Sequence, residues 1–159
     1  MEGSRYRDTD KHGYRYEVEI VSDGIVVFGS TPGLCFDFKR YGIRIRRSKH
    51  YDYTLHYAIK NGRLLLCRIE TRLSLFHRGA ELLGVKATSY RNGRWSVFTF
   101  DGVPVEYTGI LRVGKGFDAR YWKHDEKSAP VPFSPEAYRE TGYIRLENGV
   151  VTEEVLAST

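Results

Sequence analysis

The stretch from Tyr51 to Leu73 constrains this chain more than any other. Two long β-type runs flank the dipeptide Asn61-Gly62. A type I′ turn needs φ > 0 at both central residues, and Asn-Gly between alternating runs is the strongest short-range hairpin signal in a sequence. A two-residue loop sets Lys60 opposite Arg63, Ile59 opposite Leu64, Tyr57 opposite Leu66, His56 opposite Cys67 and Thr54 opposite Ile69. One face then carries Tyr53, Leu55, Tyr57 and Ile59 with Leu64, Leu66, Arg68 and Glu70. The other carries Thr54, His56 and Ala58 with Leu65, Cys67, Ile69 and Thr71. Neither face is wholly polar, which suits a sheet wrapped around a core.

The rest of the chain reads as short strands between turn signals. Tyr14 to Val21 alternates, with Tyr14, Tyr16, Val18 and Ile20 opposed to Arg15, Glu17 and Glu19. Asp23-Gly24 turns it into Ile25 to Phe28. Leu34 to Phe38 is a weaker strand, and Tyr41 to Arg47 sets Ile43 and Ile45 against Arg44 and Arg46. Phe76 to Gly84 is an irregular crossing or a single helical turn. Asn92-Gly93 makes a second hairpin with Tyr90 opposite Trp95 and Thr88 opposite Val97. Asp101-Gly102 leads to a strand from Val105 to Val113, broken by Gly114 and Gly116, with Phe117 to Trp122 following. Lys123 to Phe133 is a polar loop with two prolines. Ser134 as N-cap, Pro135 in the first turn and Glu136 behind it predict one short helix over 134–140. Asn148-Gly149 closes a last hairpin.

The expected fold is all-β: an antiparallel, up-and-down-like barrel of about ten strands, with a β-sandwich as second choice. Residues 1–13 are polar and read as a mobile N-terminal tail; 14–159 form a single β domain. Three blocks, YAIKNGRLLL (Tyr57 to Leu66), YTGILRVGKGF (Tyr107 to Phe117) and TGYIRLENGVV (Thr141 to Val151), resemble recurring blocks of uncharacterised bacterial antiparallel β-barrel proteins. That resemblance implies the barrel and carries no activity or site residue with it.

Charge is one-sided. Residues 1–80 hold 15 Lys and Arg against 9 Asp and Glu; residues 81–159 hold 10 against 11. The excess lies in Lys39, Arg40, Arg44, Arg46, Arg47 and Lys49, with no acid between Phe38 and His50. It reads as a solvated strand edge, or as an anion site of Arg44, Arg46, Arg47 and Lys49 that nucleic acid would use beside Tyr41, Tyr51 and Tyr53. No run of apolar residues is long enough for a membrane helix, and the N-terminal stretch lacks the apolar core of a signal peptide, so a cytoplasmic protein is expected. Cys35 and Cys67 fit neither a metal spacing nor a disulfide scaffold and read as free thiols.

Chemistry is sparse. His56 opposite Cys67 is the one Cys–His pair the register yields, and its ordinary reading is a packed thiol beside a hydrogen-bonded ring. The five histidines share no metal-ligand spacing, and Gly114-Lys115-Gly116 has no helix after it to complete a phosphate loop. No catalytic residue, metal or cofactor is assigned. The expected function is a non-catalytic binding module for an unknown partner, a protein among the candidates. The alternatives are a small-ligand barrel lined at the central hairpin by Tyr53, His56, Tyr57, Cys67 and Arg68, and nucleic-acid binding through 39–50.

Overall fold

The computed structural model describes residues 4–22, 24–72, 81–82, 85–86, 88–92, 95–117 and 135–158. These are mostly strand: β1 (Ser4–Thr9), β2 (Arg15–Val21), β3 (Ile25–Thr31), β4 (Tyr53–Lys60), β5 (Arg63–Thr71), β6 (Glu81–Leu82), β7 (Val85–Lys86), β8 (Thr88–Asn92), β9 (Trp95–Pro104), β10 (Gly109–Phe117), β11 (Tyr138–Glu147) and β12 (Val150–Ser158). Ten of them form one barrel-shaped sheet in the order β1-β2-β4-β5-β12-β11-β10-β3, with β9 also pairing β5 and carrying β8 on its far edge. β6 and β7 form a separate two-stranded ribbon. The barrel nearly closes where β1 lies beside β3, and Tyr6 Oη donates to Ser30 Oγ across that seam at 2.8 Å.

Two of the three expected Asn-Gly turns are where the sequence puts them. Asn61 and Gly62 have φ of 51° and 71°, Asn148 and Gly149 of 50° and 80°, as type I′ turns require. The central hairpin keeps the expected register from Lys60↔Arg63 to Tyr57↔Leu66 and then slips. His56 pairs with Arg68, Leu55 with Ile69, Thr54 with Glu70 and Tyr53 with Thr71, so the expected His56–Cys67 pair does not form. Cys67 is the extra residue of a β-bulge. The bulge serves the core: it turns Ile69 inward beside Leu64 and Leu66, each 1% exposed or less, and moves Arg68 and Glu70 to the outer face. β9 answers it. Asp101-Gly102 is not a turn between strands; these residues lie within β9, in the stretch left over where Leu66 pairs with Val103 and Arg68 with Thr99.

Other elements differ from the sequence reading. Ser4–Thr9 is a strand paired with β2 and not a tail. β2 and β3 do not pair as a hairpin: β3 pairs with β10 while β2 takes β4 as a parallel neighbour, from Tyr16↔Tyr53 to Val21↔Ala58, and Asp23 of the expected Asp23-Gly24 turn lies outside the described residues. The hairpin of β8 and β9 sets Asn92 opposite Trp95 and Tyr90 opposite Val97, two residues from the expected register. β10 runs through Gly114 and Gly116 to Phe117, Gly114 being the residue that Phe28 and Tyr138 leave no room to replace: a Cβ there would lie 2.5 Å from Phe28 and 2.9 Å from Tyr138. The expected helix over 134–140 is one 3₁₀ turn, Pro135–Ala137, cut short where Tyr138 joins β11 and packs against Phe28 and Phe117. Phe117 to Trp122 beyond Phe117, the loop Lys123 to Phe133, and Phe76 to Gly84 apart from Glu81–Leu82 lie outside the described residues.

The core fills the barrel. Tyr16, Val18, Ile20, Tyr53, Leu55, Tyr57, Leu111, Val113, Ile144 and Leu146 point inward from the strands. Leu34 to Phe38 and Tyr41 to Arg47 are not strands. They flank a 3₁₀ turn, Phe38–Tyr41, and this segment lays Leu34, Phe36, Phe38, Ile43 and Ile45 into the same core. Its rings interlock: Phe38 packs on Tyr53 at 5.0 Å, Phe36 on Phe38 at 4.7 Å, and Tyr16 stacks on Tyr53 at 5.2 Å. Among the described residues no helix is long and apolar enough to cross a membrane.

Candidate functional site

Cross-strand partners share a face, so the ladders fix what the outer surface of β1, β2, β4 and β5 presents. One row runs Arg5, Glu19, His56, Arg68; the next runs Arg7, Glu17, Thr54, Glu70. Acids and bases alternate, and the side chains find each other. Arg5 Nε lies 2.8 Å from Glu19 Oε2, and Arg5 Nη1 lies 3.6 Å from Glu17 Oε1. Arg7 Nε donates to Glu17 Oε2 at 3.1 Å, and Arg68 is 3.6 Å from Glu70. His56 sits between two carboxylates, Nδ1 3.5 Å from Glu19 and Nε2 3.3 Å from Glu70. The Nε2 contact is at ion-pair distance but outside good hydrogen-bond geometry, and Nε2 has no hydrogen-bond partner. Thr54 Oγ1 beside it is also buried and unpartnered.

The two signs lie at different depths. Glu17 is 6% exposed, whereas the side chains of Arg5, Arg7 and Arg68 are 51%, 65% and 43% exposed. Guanidinium groups thus form the outer layer over carboxylates. A carboxylate as buried as Glu17 is tolerated because two guanidiniums compensate it; removing both would leave an uncompensated charge. At one end Arg7 stands over the Tyr51 ring, which packs against Trp95 at 5.6 Å. At the β1 edge a half-open depression of about 510 Å³ is lined, among the described residues, by Arg5, Tyr6, Arg7 and Glu17.

The His56 imidazole beside Glu70, against the opposing pull of partial burial, holds its carboxyl below the usual glutamate range. Such a carboxyl binds its proton less readily in the folded chain than in the unfolded one. Its contribution to stability is therefore complete above the unfolded-state value and is lost as pH falls through the lower folded-state value. His56→Gln is expected to move the Glu70 titration upward, toward the ordinary value, and to flatten this acid-side stability loss. Carboxyl-carbon NMR titration of Glu70 in both proteins checks it; an unchanged midpoint would remove His56 as the cause.

The residues expected to line a ligand site do not share a surface. Tyr53 and Tyr57 are core residues at 0% and 5% exposure, while His56 and Arg68 belong to the outer rows and Cys67 to the bulge. Burial raises the Tyr57 and Tyr53 hydroxyls far above their ordinary acidity constants, and Asp10 Oδ2 accepts from Tyr53 Oη at 2.8 Å. Burial also pushes the Cys67 thiol up, against Lys60 and Arg68, so no thiolate is prepared there. Partial burial and then Asp10 push Cys35 up in the same way. Of the expected anion site, Arg44, Arg46 and Lys49 are exposed. Ile43 and Ile45 are buried at 5% and 9%, so the expected opposition of faces is met, but in an extended loop that touches the sheet through Arg46 N–H to Arg72 O at 2.7 Å. Arg47 is already engaged: it donates to Gly13 O at 3.1 Å, lies over Tyr14 at 4.7 Å and comes within 3.8 Å of Asp52. Among the described residues no group of histidine, cysteine and acidic side chains could hold a metal.

The outer rows went unread in the sequence for two reasons. Arg5 and Arg7 fall in a stretch that looks like a tail, and the Cys67 bulge puts Arg68 and Glu70 on the face opposite to the one that alternation assigns. The pattern that could have found them is charge at alternate positions: Arg5-x-Arg7, Glu17-x-Glu19 and Arg68-x-Glu70. No family model, curated protein or solved structure matches this chain.

Proposed function

We propose that this chain is a non-catalytic binding module of the bacterial cytoplasm, and that it meets a protein partner on the outer rows of β1, β2, β4 and β5. The observation that carries this reading is the filled interior. Side chains from the strands and from the 34–45 segment occupy the space that a lumen ligand would need, so binding is assigned to the outside. The outer rows suit a protein because they offer both signs of charge in a fixed register, the arrangement that selects a partner with the matching pattern. Arginine beside tyrosine and tryptophan, as at Arg7, Tyr51 and Trp95, is also the composition that protein interfaces favour. Burial raises the Cys35 and Cys67 thiols, which does not favour a thiolate at either position.

The test is native mass spectrometry of protein isolated from its own cells, for wild type, Arg7→Ser/Arg68→Ser and Arg44→Ser/Arg46→Ser. A protein partner is expected on the wild type, lost at least about tenfold in the first variant and retained in the second, in line with the larger effects of interfacial arginines. A tightly held small molecule in place of a protein would overturn the reading.

A nucleic-acid reading rests on a different observation: Arg44, Arg46 and Lys49 are exposed and form no ion pair among the described residues. It predicts that wild type retains a generic single-stranded DNA or RNA in filter binding at low salt. Arg44→Ser/Arg46→Ser should then weaken binding and flatten its salt dependence, with stability shifted by under about 0.5 kcal/mol. No retention of wild-type complex at low salt would end it.

A further inference from the structure

Among the described residues, β12 has a neighbour along its whole length on one side only. It pairs with β11 from Val150 to Ser158, but with β5 at the single position Val150↔Arg63, extended by Val151 N–H to Gly62 O at 2.8 Å. Past that point β5 has already turned back into β4 at Asn61-Gly62, so β12 continues beyond the hairpin tip. From Glu153 to Ser158 its outer edge has no ladder partner among the described residues. The strand is exposed except for half-buried Val151 and Leu156, and it supplies Val150 and Val155, two of the three exposed large hydrophobic residues among those described.

We infer that this edge pairs with the same edge of a second copy, antiparallel, about a two-fold axis at Val155. The direction of the free backbone groups sets this register. Val151 N–H points away from β11, so its pair with Leu146 is a wide one, and alternation along β11 makes Ile144↔Glu154 and Gly142↔Leu156 wide as well. The N–H and C=O of Glu154 and Leu156 therefore face outward. With the axis at Val155, Glu154 meets Leu156 of the second copy, and those outward groups become a hydrogen-bonded pair. Val155 then faces Val155 and Glu153 faces Ala157.

The side chains agree with the backbone. In this register no glutamate faces a glutamate, and the two exposed valines cover each other. Acidic residues and bulges usually protect an open edge. Here Glu153 is already held by Arg145 at 3.3 Å and Tyr143 at 2.7 Å, which offsets its charge within its own sheet. The Thr152 bulge lies before the free stretch and not within it. A self-complementary edge of this kind fits a copy of itself, joining the β3-β10-β11-β12 portions of two barrels into one continuous sheet.

Sedimentation equilibrium of the 159-residue chain tests this. Wild type is expected to dimerise. Val155→Lys and Val155→Glu, at a position already exposed, should each weaken dimerisation at least about tenfold by placing like charges on the axis, and an equimolar mixture of the two should restore it. Val21→Lys, at the exposed valine of β2, should leave the dimer unchanged. A wild type that stays monomeric to its solubility limit overturns the inference, as does a dimer indifferent to Val155→Lys or a monomer whose β12 edge takes up an extended peptide of another sequence.

Discussion

Gly149→Ala should unfold this protein more readily than any other single methyl addition in its hairpin turns. Gly149 has φ of +80°, where an L-residue costs roughly 1–2 kcal/mol. A Cβ there would also stand 2.0 Å from the Val105 carbonyl oxygen, which is backbone and has nowhere to go. The residue is the junction between β12, β5 and the segment before β10: its N–H donates to Tyr107 O at 2.7 Å and its C=O accepts from Leu64 N–H at 2.9 Å. Strain and loss of these bonds together should cost roughly 4 kcal/mol, a large share of the stability of a domain this size. Gly62→Ala is the internal control. It shares the turn type and a φ of +71°, but nothing lies within 4 Å of its Cβ, so only the backbone cost of about 1 kcal/mol should appear. Urea unfolding of both variants decides it. Equal losses would show that the contact with Val105 is unimportant.

Asp52→Ala should have the second largest effect. Asp52 is 1% exposed and its carboxylate accepts two backbone hydrogen bonds, from Ser48 N–H at 2.7 Å and from Arg15 N–H at 2.9 Å. Its own N–H donates to Arg15 O, and Thr71 Oγ1 donates to its carbonyl at 3.1 Å. The side chain thus fastens the basic segment to the start of β2. Removing it leaves two partly buried N–H groups unpaired and deprives Arg47 of its acidic partner. A loss of roughly 3 kcal/mol is expected. Asp52→Asn, which keeps an acceptor, should lose about half of that. Unfolding measurements give the magnitude, and amide hydrogen exchange should rise at Ser48 and Arg15 before it rises in β4. A loss under about 1 kcal/mol with unchanged exchange would mean that solvent replaces the carboxylate.

Both sites stand where the chain's own signals meet constraints from elsewhere. Asn148-Gly149 is legible as a turn; that Val105 lies against it is not. The same division runs through the molecule. Type I′ turns at Asn61-Gly62 and Asn148-Gly149, the inward Tyr16, Val18 and Ile20, the opposition of Ile43 and Ile45 to Arg44 and Arg46, and the all-β class follow from φ preference and a period of two. These are properties of a residue and its immediate neighbours, so the sequence alone determines them. The tertiary structure decided which strands pair: β3 with β10, β2 with β4 in parallel, β1 as a strand at all. It also decided where the register slips, at Cys67 opposite the Asp101-Gly102 irregularity, and so which face Arg68 and Glu70 occupy. A one-residue bulge inverts every side chain beyond it, and it forms because Ile69 gains more by entering the core than the lost pairing costs. That balance depends on strands distant in sequence that complete the barrel, and no local pattern contains it.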